Sequence, residues 1–204
     1  MHMFKDKSVL LALGVGVVAG AIIFYAGGKF LDGDSEERMM AEYYKIENLV
    51  SVSPYEIKTA LLKGEHNKHV VVDMRSPAEY EAGHVTGAIN IPQYLPSDAT
   101  GQNSEGRIVE AFRQVVVDNP GKDIVAYCYS AACMATRKAG NMLADHGVYI
   151  KHLNIGWYEW KYYWTMWNGE DGNIAEDFIT VGNEPGEPTL SGEVEPCGEG
   201  EFGC

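Results

Sequence analysis

The segment Asp123–Val148 (DIVAYCYSAACMATRKAGNMLADHGV) constrains the fold of this chain most strongly. An apolar run after a Pro-Gly turn signal predicts a buried strand that leads into Cys128, and apolar residues three or four apart predict a helix from Ala135 to His146. In a loop between a strand end and a helix start, successive backbone N–H groups point into one concave site. The positive end of the helix dipole also lies there and favours negative charge. We therefore expect a lowered pKa for the Cys128 thiol, whose thiolate is the nucleophilic form. The loop residues are Tyr129, Ser130, Ala131, Ala132, Cys133 and Met134.

Strand and helix patterns alternate on both sides of this segment. They predict an α/β fold, in which a parallel sheet is covered by helices on both faces. Two capping boxes with proline at the first helical position, Ser53–Glu56 and Ser76–Glu79, each predict a helix start. Further strands are expected at 49–52, 70–74, 88–91 and 149–154, and further helices at 106–118 and 157–167.

The N-terminal region contains 21 consecutive residues without a charge, Ser8–Gly28. At about 1.5 Å per residue a helix of this length measures roughly 30 Å, which predicts a membrane anchor. Lys5 and Lys7 precede the span and acidic residues follow Lys29, so the positive-inside rule places the rest of the chain in the periplasm or exterior, on a single-pass anchor in the cytoplasmic membrane. A cleaved signal peptide with a site at Ala19–Ala21 is the alternative.

The spacing of small residues and the distribution of charge give further predictions about the organisation of the chain. Small residues four apart (Ala12, Gly16 and Gly20) form a face on which another membrane helix could pack closely, as in a membrane complex. The net charge is −13, and ten acidic residues but no Lys or Arg lie from Gly169 onward, which makes nucleic acid an improbable partner. We expect an anchor at 1–31, a charged helical linker at 32–48, a globular domain at 49–168 and a Gly/Glu/Pro-rich tail at 169–204 that is mobile unless something holds it.

Three stretches resemble the motifs of rhodanese-type sulfurtransferase domains. Val70–Pro92 resembles the opening signature of that family, Ala126–Cys128 is similar to the strand end before its active cysteine, and Leu153–Trp160 resembles its closing Gly-aromatic-x-x-Trp motif. The resemblance covers about Leu49 to Trp167, with the motifs in the family's order. The matching residues of the first stretch are Asp73, Arg75, Glu79, Tyr80, Gly83, His84, Gly87, Ala88 and Asn90.

This resemblance implies a rhodanese-like fold and a sulfur-carrying Cys128. The Cys128 thiolate would take the outer sulfur of a small donor of the thiosulfate or polysulfide class and become a persulfide. A thiol or another nucleophile would then accept the sulfur, without a metal or organic cofactor. Loop N–H groups would stabilise the negative charge of the intermediate.

Four of the matching residues are expected to support the site structurally: Asp73, Arg75, Glu79 and His84. Arg75 and Glu79 lie close together across a strand-to-helix turn, so we expect them to pair and hold the sheet edge below the loop. His84 is interpreted as a hydrogen-bonding residue of the turn, with a role as catalytic base as the alternative.

The loop departs from the common family pattern in two ways. The family usually has Arg or Lys a few residues after the cysteine, whereas here Arg137, at the helix start, is the nearest candidate for an anion contact. The loop is also longer, and its Cys133 makes it resemble a subgroup with two cysteines separated by four residues.

Other functions were weighed against sulfur transfer. A phosphatase with such a loop needs an arginine six residues after the cysteine, where this chain has Met134. Thiol–disulfide chemistry of Cys128 with Cys133 remains open, as does a disulfide between Cys197 and Cys204 in the tail. The cysteine spacings do not predict a zinc site. A non-catalytic accessory subunit of a membrane complex also remains open.

Overall fold

The computed structural model describes residues 17–21, 35–65, 68–96, 104–168 and 174–187. The chain divides into two compact units, 1–46 and 47–204. Residues 17–21 are helical, and helix α1 (Glu36–Val50), which contains no buried residue, includes the boundary between the units. Most of the predicted anchor at 8–28 lies outside the described residues; among those described, no helix is both long and apolar enough to cross a membrane.

The second unit contains strands and helices in alternation. Its strands are β1 (Ser51–Val52), β2 (His69–Asp73), β3 (His84–Val85), β4 (Ile89–Asn90), β5 (Asp123–Tyr127), β6 (Lys151–Leu153) and β7 (Ile179–Thr180). Its helices are α2 (Pro54–Leu62), α3 (Pro77–Ala82), α4 (Ser104–Asp118), α5 (Ala135–Asp145), α6 (Trp157–Tyr162), α7 (Trp164–Asn168) and a 3-10 turn at Ala175–Phe178.

Five strands form one sheet in the order β1-β6-β5-β2-β4, and every pair in it is parallel. Strand β5 is central, between β6 and β2, and its pairing with β2 runs from His69–Asp123 to Asp73–Tyr127. Because the strands are parallel, their carboxyl ends share one edge of the sheet. The loop after Cys128 and the turn after Asp73 therefore lie at the same edge, where α/β proteins bind ligands.

Two apolar clusters cover the two faces of the sheet. On one face α2, α6 and α7 pack around Trp160, which is fully buried, as is Phe178 of the 3-10 turn. On the other face α4 and α5 pack around Phe112 and Leu143, which are also fully buried. The predicted parallel α/β sheet with helices on both faces is confirmed.

Two element boundaries differ from the sequence prediction. Leu49 and Val50 belong to the end of α1, and the first strand contains only Ser51 and Val52. The helix predicted over 157–167 is two helices, since the backbone leaves the helical region at Tyr163. The break directs Trp164 into the core, where its ring stacks on Phe178 with 5.2 Å between centroids.

Part of the predicted tail belongs to the domain. Residues 174–187 are described, and Ala175 and Phe178 are buried in the same cluster as the tryptophans. Strand β7 pairs antiparallel with β3, through His84–Thr180 and Val85–Ile179. Residues 174–187 of the predicted tail are therefore held to the domain by these contacts. Residues 169–173 and 188–204, with Cys197 and Cys204, lie outside the described residues.

Candidate active site

Cys128 lies where the central strand ends. It directly follows β5, and its side chain is only 4% exposed. The first two residues of α6 fix the backbone here, because the N–H of Trp157 donates to the Cys128 carbonyl and the N–H of Tyr158 donates to the Tyr129 carbonyl, both at 2.9 Å. The closing motif of the domain thus positions the start of the loop.

Gly156 allows this close approach of α6 to the loop. A Cβ at position 156 would lie 2.5 Å from the carbonyl carbon of Tyr129 and even closer to the backbone of Ser130. The backbone angles of Gly156 (φ −114°, ψ −168°) suit any residue, so the requirement for glycine is purely steric. Any larger residue must displace the loop.

The loop amides serve different acceptors. The N–H of Tyr129 donates to the Cys128 sulfur. The N–H of Ala131 donates instead to the Glu159 carboxylate, at 3.2 and 3.3 Å from its two oxygens, and the N–H of Cys133 donates to the Ser130 carbonyl at 2.9 Å. Of these three amides, only that of Tyr129 stabilises charge on the sulfur.

The pKa of the Cys128 thiol is raised to about 12, contrary to the lowered value expected from the sequence. Burial is the main cause, since it disfavours the charged thiolate. A hydrogen bond with the Cys133 side chain and the nearby Asp73 carboxylate raise the pKa further, and the Tyr129 N–H lowers it only in part. The pKa shift was predicted in the wrong direction because convergence of the loop amides on the sulfur was assumed.

Cys133 lies beside Cys128. Both cysteines are free thiols, with Cys128 buried and Cys133 partly exposed. The turn from Ser130 to Cys133 brings the second thiol back to the strand end, within hydrogen-bonding contact of the first. The structure therefore brings together the two loop cysteines noted in the sequence.

A buried network lies at the same sheet edge. Asp73 and Arg75 are 0% and 3% exposed and form an ion pair, with 2.6 Å between Arg75 Nη2 and Asp73 Oδ2. Arg75 also donates to the Gly83 carbonyl at 2.7 Å, and the Tyr127 hydroxyl donates to Asp73 at 2.5 Å. The guanidinium lies over the Trp157 ring at 4.4 Å. This network joins the ends of β2 and β5 to α6.

Glu79 does not form the expected ion pair with Arg75. Asp73 is two residues from Arg75 and buried with it, whereas the Glu79 carboxylate accepts the hydrogen bonds of a capping box from Ser76. It also accepts the Tyr129 hydroxyl at 2.7 Å, which ties α3 to the loop. Although partial burial raises the pKa of Glu79, hydrogen bonds from Ser76 and Tyr129 bring it below its ordinary value.

His84 and Arg137 both contact backbone carbonyls. The ring nitrogens of His84 contact the carbonyl oxygens of Tyr80 at 2.8 Å and Glu184 at 3.1 Å, and the ring is fully buried and stacked on Tyr80. These contacts suit the structural interpretation of His84. Arg137 Nη1 donates to the Ala131 carbonyl at 3.2 Å, so its guanidinium holds the loop backbone.

Three residues of this site were not identified from the sequence as functional: Tyr127, Gly156 and Glu159. The last two belong to the Gly-aromatic-x-x-Trp motif, whose position in the sequence gave no indication that it contacts the cysteine loop. Within the described ranges no group of three or more His, Cys, Asp and Glu side chains is arranged to hold a metal ion.

The parallel sheet, the cysteine at the end of its central strand and the loop held by α6 define an α/β domain with a cysteine loop at the carboxyl edge of its sheet. The family described as rhodanese-like domain matches this chain over residues 53–162. The chain belongs to that family.

Comparisons with individual proteins give more distant similarities. The chain is 34% identical over 101 residues to the HTH-type transcriptional regulator Rv0324 of Mycobacterium tuberculosis, over 50% of this chain and 38% of that protein. The chain thus matches well under half of that relative's length.

Two solved structures are also similar to the chain. The BH2092 protein from Bacillus halodurans is 23% identical, with 74% of this chain and 92% of that chain covered and a TM-score of 0.44. A rhodanese with anions from E. coli is 27% identical, with 43% and 85% covered and a TM-score of 0.29. The family assignment rests on the match over residues 53–162.

Proposed function

We propose that the protein is a sulfurtransferase that carries sulfur as a persulfide on Cys128. The donor is a small molecule of the thiosulfate or polysulfide class, and the acceptor is a thiol or another nucleophile. The observation that carries this proposal is the position of Cys128, buried directly after β5 at the carboxyl edge of the sheet, where the Tyr129 backbone lowers the pKa of its thiol against the effect of burial. An N–H group held in this position stabilises negative charge on sulfur, which both the thiolate and the ionised persulfide carry.

The reaction has two steps on one sulfur atom. In the first, the Cys128 thiolate attacks the outer sulfur of the donor, the sulfur–sulfur bond of the donor breaks, and the rest of the donor leaves with the electron pair. In the second, the acceptor attacks the outer sulfur of the persulfide, and Cys128 leaves as a thiolate. Because burial raises the pKa of Cys128, its ionisation is expected to limit the first step.

The contact between the two loop thiols favours a second candidate function, thiol–disulfide exchange by Cys128 and Cys133. Formation of the disulfide removes two electrons and two protons, and an external dithiol would return them. A non-catalytic accessory role is the third candidate; it predicts a folded domain that neither loads sulfur nor exchanges disulfides.

A sulfur-transfer assay with matched variants separates these candidates. Cys128→Ser should abolish transfer to a thiol acceptor, whereas Cys133→Ser should still load sulfur and differ in its release or its sensitivity to oxidation. Normal transfer by Cys128→Ser would contradict the proposal. If both variants lose activity and a Cys128–Cys133 disulfide accumulates during turnover, thiol–disulfide exchange is favoured instead.

We also propose that Ser8–Gly28 is a retained, single-pass anchor in the cytoplasmic membrane, with the domain in the periplasm or exterior. The support is the uncharged span and the charge asymmetry around it. The face formed by Gly16 and Gly20 would then be available to a membrane partner. Alkaline washing should leave the protein in the membrane, and protease added to spheroplasts should digest the domain. A domain that is protected from the protease would contradict this orientation.

For the end of the chain, we propose a disulfide between Cys197 and Cys204, because an oxidising compartment and a short glycine-rich spacer favour it. Peptide mapping without reduction would identify the linked peptides. A link from Cys197 to Cys128 would instead indicate that the tail takes part in the sulfur relay.

A further inference from the structure

One backbone N–H of the active-site loop is hydrogen-bonded to a side chain of the domain itself. The N–H of Ala131 donates to both oxygens of the Glu159 carboxylate, at 3.2 and 3.3 Å. The same carboxylate accepts the N–H of Gly156 at 2.9 Å, at the start of α6. The carboxylate is thus held against the loop on two backbone donors, and it occupies the Ala131 N–H, which an anionic group could otherwise use.

The other charges at the loop are one carboxylate and one guanidinium. The loop from Tyr129 to Met134 contains no Lys or Arg, and a second carboxylate, that of Glu79, accepts the Tyr129 hydroxyl at 2.7 Å. The guanidinium of Arg137 is held on the Ala131 carbonyl at 3.2 Å. Below the loop, the charge of Arg75 is paired with that of Asp73.

From this arrangement we infer that Glu159 is a specificity-determining residue, which disfavours dianionic sulfur donors. The inferred donor class is the organic persulfide, R–S–SH, and this inference rests on the proposed sulfur transfer by Cys128. Thiosulfate would bring a sulfonate group, directly bonded to the sulfur under attack, to a loop that carries this fixed carboxylate, and like charges repel. The reacting sulfurs of an organic persulfide carry no such group.

The loading step balances without an external oxidant. The Cys128 thiolate attacks the outer sulfur of R–S–SH, one sulfur–sulfur bond forms, and the bond of the donor breaks. R–S⁻ leaves with the electron pair and takes up a proton from water, while Cys128 becomes Cys128–S–SH. The same attack on thiosulfate would release sulfite beside Glu159.

The test compares two donors in single-turnover loading of Cys128, thiosulfate and hydroxyethyl persulfide, whose organic group is uncharged. Glu159→Gln removes the charge but keeps an oxygen that can accept the Gly156 N–H, so the start of α6 is retained. The expected result is a rise of roughly tenfold in the ratio of thiosulfate to persulfide loading rates. The matched control is Glu176→Gln, at an exposed carboxylate of the 3-10 turn, which should leave the ratio unchanged.

The dependence of the loading rate on ionic strength is a second measurement. A merely structural role of Glu159 would not alter this dependence. In the wild-type protein, added salt should accelerate loading from thiosulfate more than loading from the persulfide, because it screens the repulsion. This difference should shrink in Glu159→Gln. If that variant does not fold, the wild-type salt dependence decides, and its absence would contradict the inference.

The remaining outcomes separate this inference from the proposed function. If the wild-type protein loads from the persulfide but the donor ratio is the same in Glu159→Gln, the role of Glu159 is wrong and sulfur transfer stands. Equal loading of the wild-type protein from both donors also overturns the inference. Loading from neither donor overturns the proposed function, and the inference with it.

Discussion

The Cys128 sulfur lies in a buried position, beside a second thiol and one N–H group of its loop. At the residue scale this environment disfavours the thiolate form of Cys128 and keeps its sulfur away from solvent. Burial raises the pKa of the Cys128 thiol to about 12, so that little thiolate exists near neutral pH. In the proposed sulfur transfer, the same burial would shield the persulfide from water and oxidants.

The pH dependence of loading follows from this pKa. The thiolate fraction rises about tenfold per pH unit below the pKa, so the loading rate should rise from about pH 7 to about pH 10 without a plateau. Alkylation of Cys128 by iodoacetamide should show the same slope. Cys133→Ala removes a neighbour that raises the pKa, and should therefore speed alkylation at a given pH. A plateau of the wild-type rate near pH 8.5, where an ordinary thiol ionises, would contradict this environment.

The Asp73–Arg75 pair provides a second test at this scale. Loss of one partner leaves a buried charge unpaired, so Arg75→Met should lower the free energy of unfolding by about 3–5 kcal/mol. Arg75→Met combined with Asp73→Asn should be less destabilised than the sum of the single variants. Arg113→Met, at an exposed pair with 4.0 Å to Glu110, is the control and should cost at most about 1 kcal/mol. Denaturant unfolding measures all four. Equal costs for Arg75→Met and Arg113→Met would contradict a structural role for the buried pair.

At the scale of elements, the active loop is a joint product of β5, α5 and α6. The first two provide the cysteine and the following helix, as the segment Asp123–Val148 predicted from its own pattern. Helix α6 comes later in the chain, yet it holds the backbone of Cys128 and Tyr129 and places Glu159 on Ala131. The geometry of the loop therefore depends on a long-range contact.

Gly156 tests that contact. Gly156→Ala would place a Cβ into the backbone of Tyr129 and Ser130, so the loop must shift. We expect sulfur transfer to fall by roughly 10²-fold, because a displacement of about 1 Å has an effect of this size. Gly140→Ala in α5 is the matched control, since its Cβ would approach only the Ile150 side chain, at 3.6 Å. Transfer rates should stay near wild type in the control. Unchanged transfer in Gly156→Ala would show that the loop does not need this close approach.

At the scale of the whole molecule, the described part of the domain extends past its last tryptophan helix. Residues 174–187 add β7 to β3, in a two-stranded sheet separate from the parallel one, and cover the tryptophan cluster with Phe178. The Glu184 carbonyl at the end of this segment contacts His84 at 3.1 Å. The family match ends at residue 162, so this segment lies outside the matched range, and it packs on the domain through β7 and Phe178.

The contribution of the segment can be measured by truncating one side chain. Phe178 is fully buried, and Phe178→Ala should lower the free energy of unfolding by about 3–5 kcal/mol. Val181, which is 73% exposed, lies three residues later, and Val181→Ala should change it by no more than about 0.5 kcal/mol. Equal free energies of unfolding for the two variants would show that the segment does not stabilise the domain.

These scales also explain what the sequence could predict. Strand and helix periodicity established the parallel α/β fold, and the strand–loop–helix pattern identified Cys128 and its loop. Periodicity is local, so it could not show that Ala131 donates to Glu159 or that Arg75 pairs with Asp73 rather than Glu79. The same limit applies to 174–187, where Ala175 and Phe178 stand among acidic residues and their burial depends on the distant tryptophans. The pKa of Cys128 was predicted in the wrong direction because it depends on the directions of individual amides and on burial.

The most direct test of sulfur transfer is the location of the transferred sulfur atom by mass spectrometry. The wild-type protein would be incubated with hydroxyethyl persulfide, alkylated and digested with trypsin. Cys128 and Cys133 share the tryptic peptide 123–137, so fragmentation of that peptide must distinguish them. The account predicts one added sulfur on Cys128 in the wild-type protein and in Cys133→Ser, and none on the peptide in Cys128→Ser. Sulfur on Cys133, or equal loading of Cys128→Ser, would contradict it.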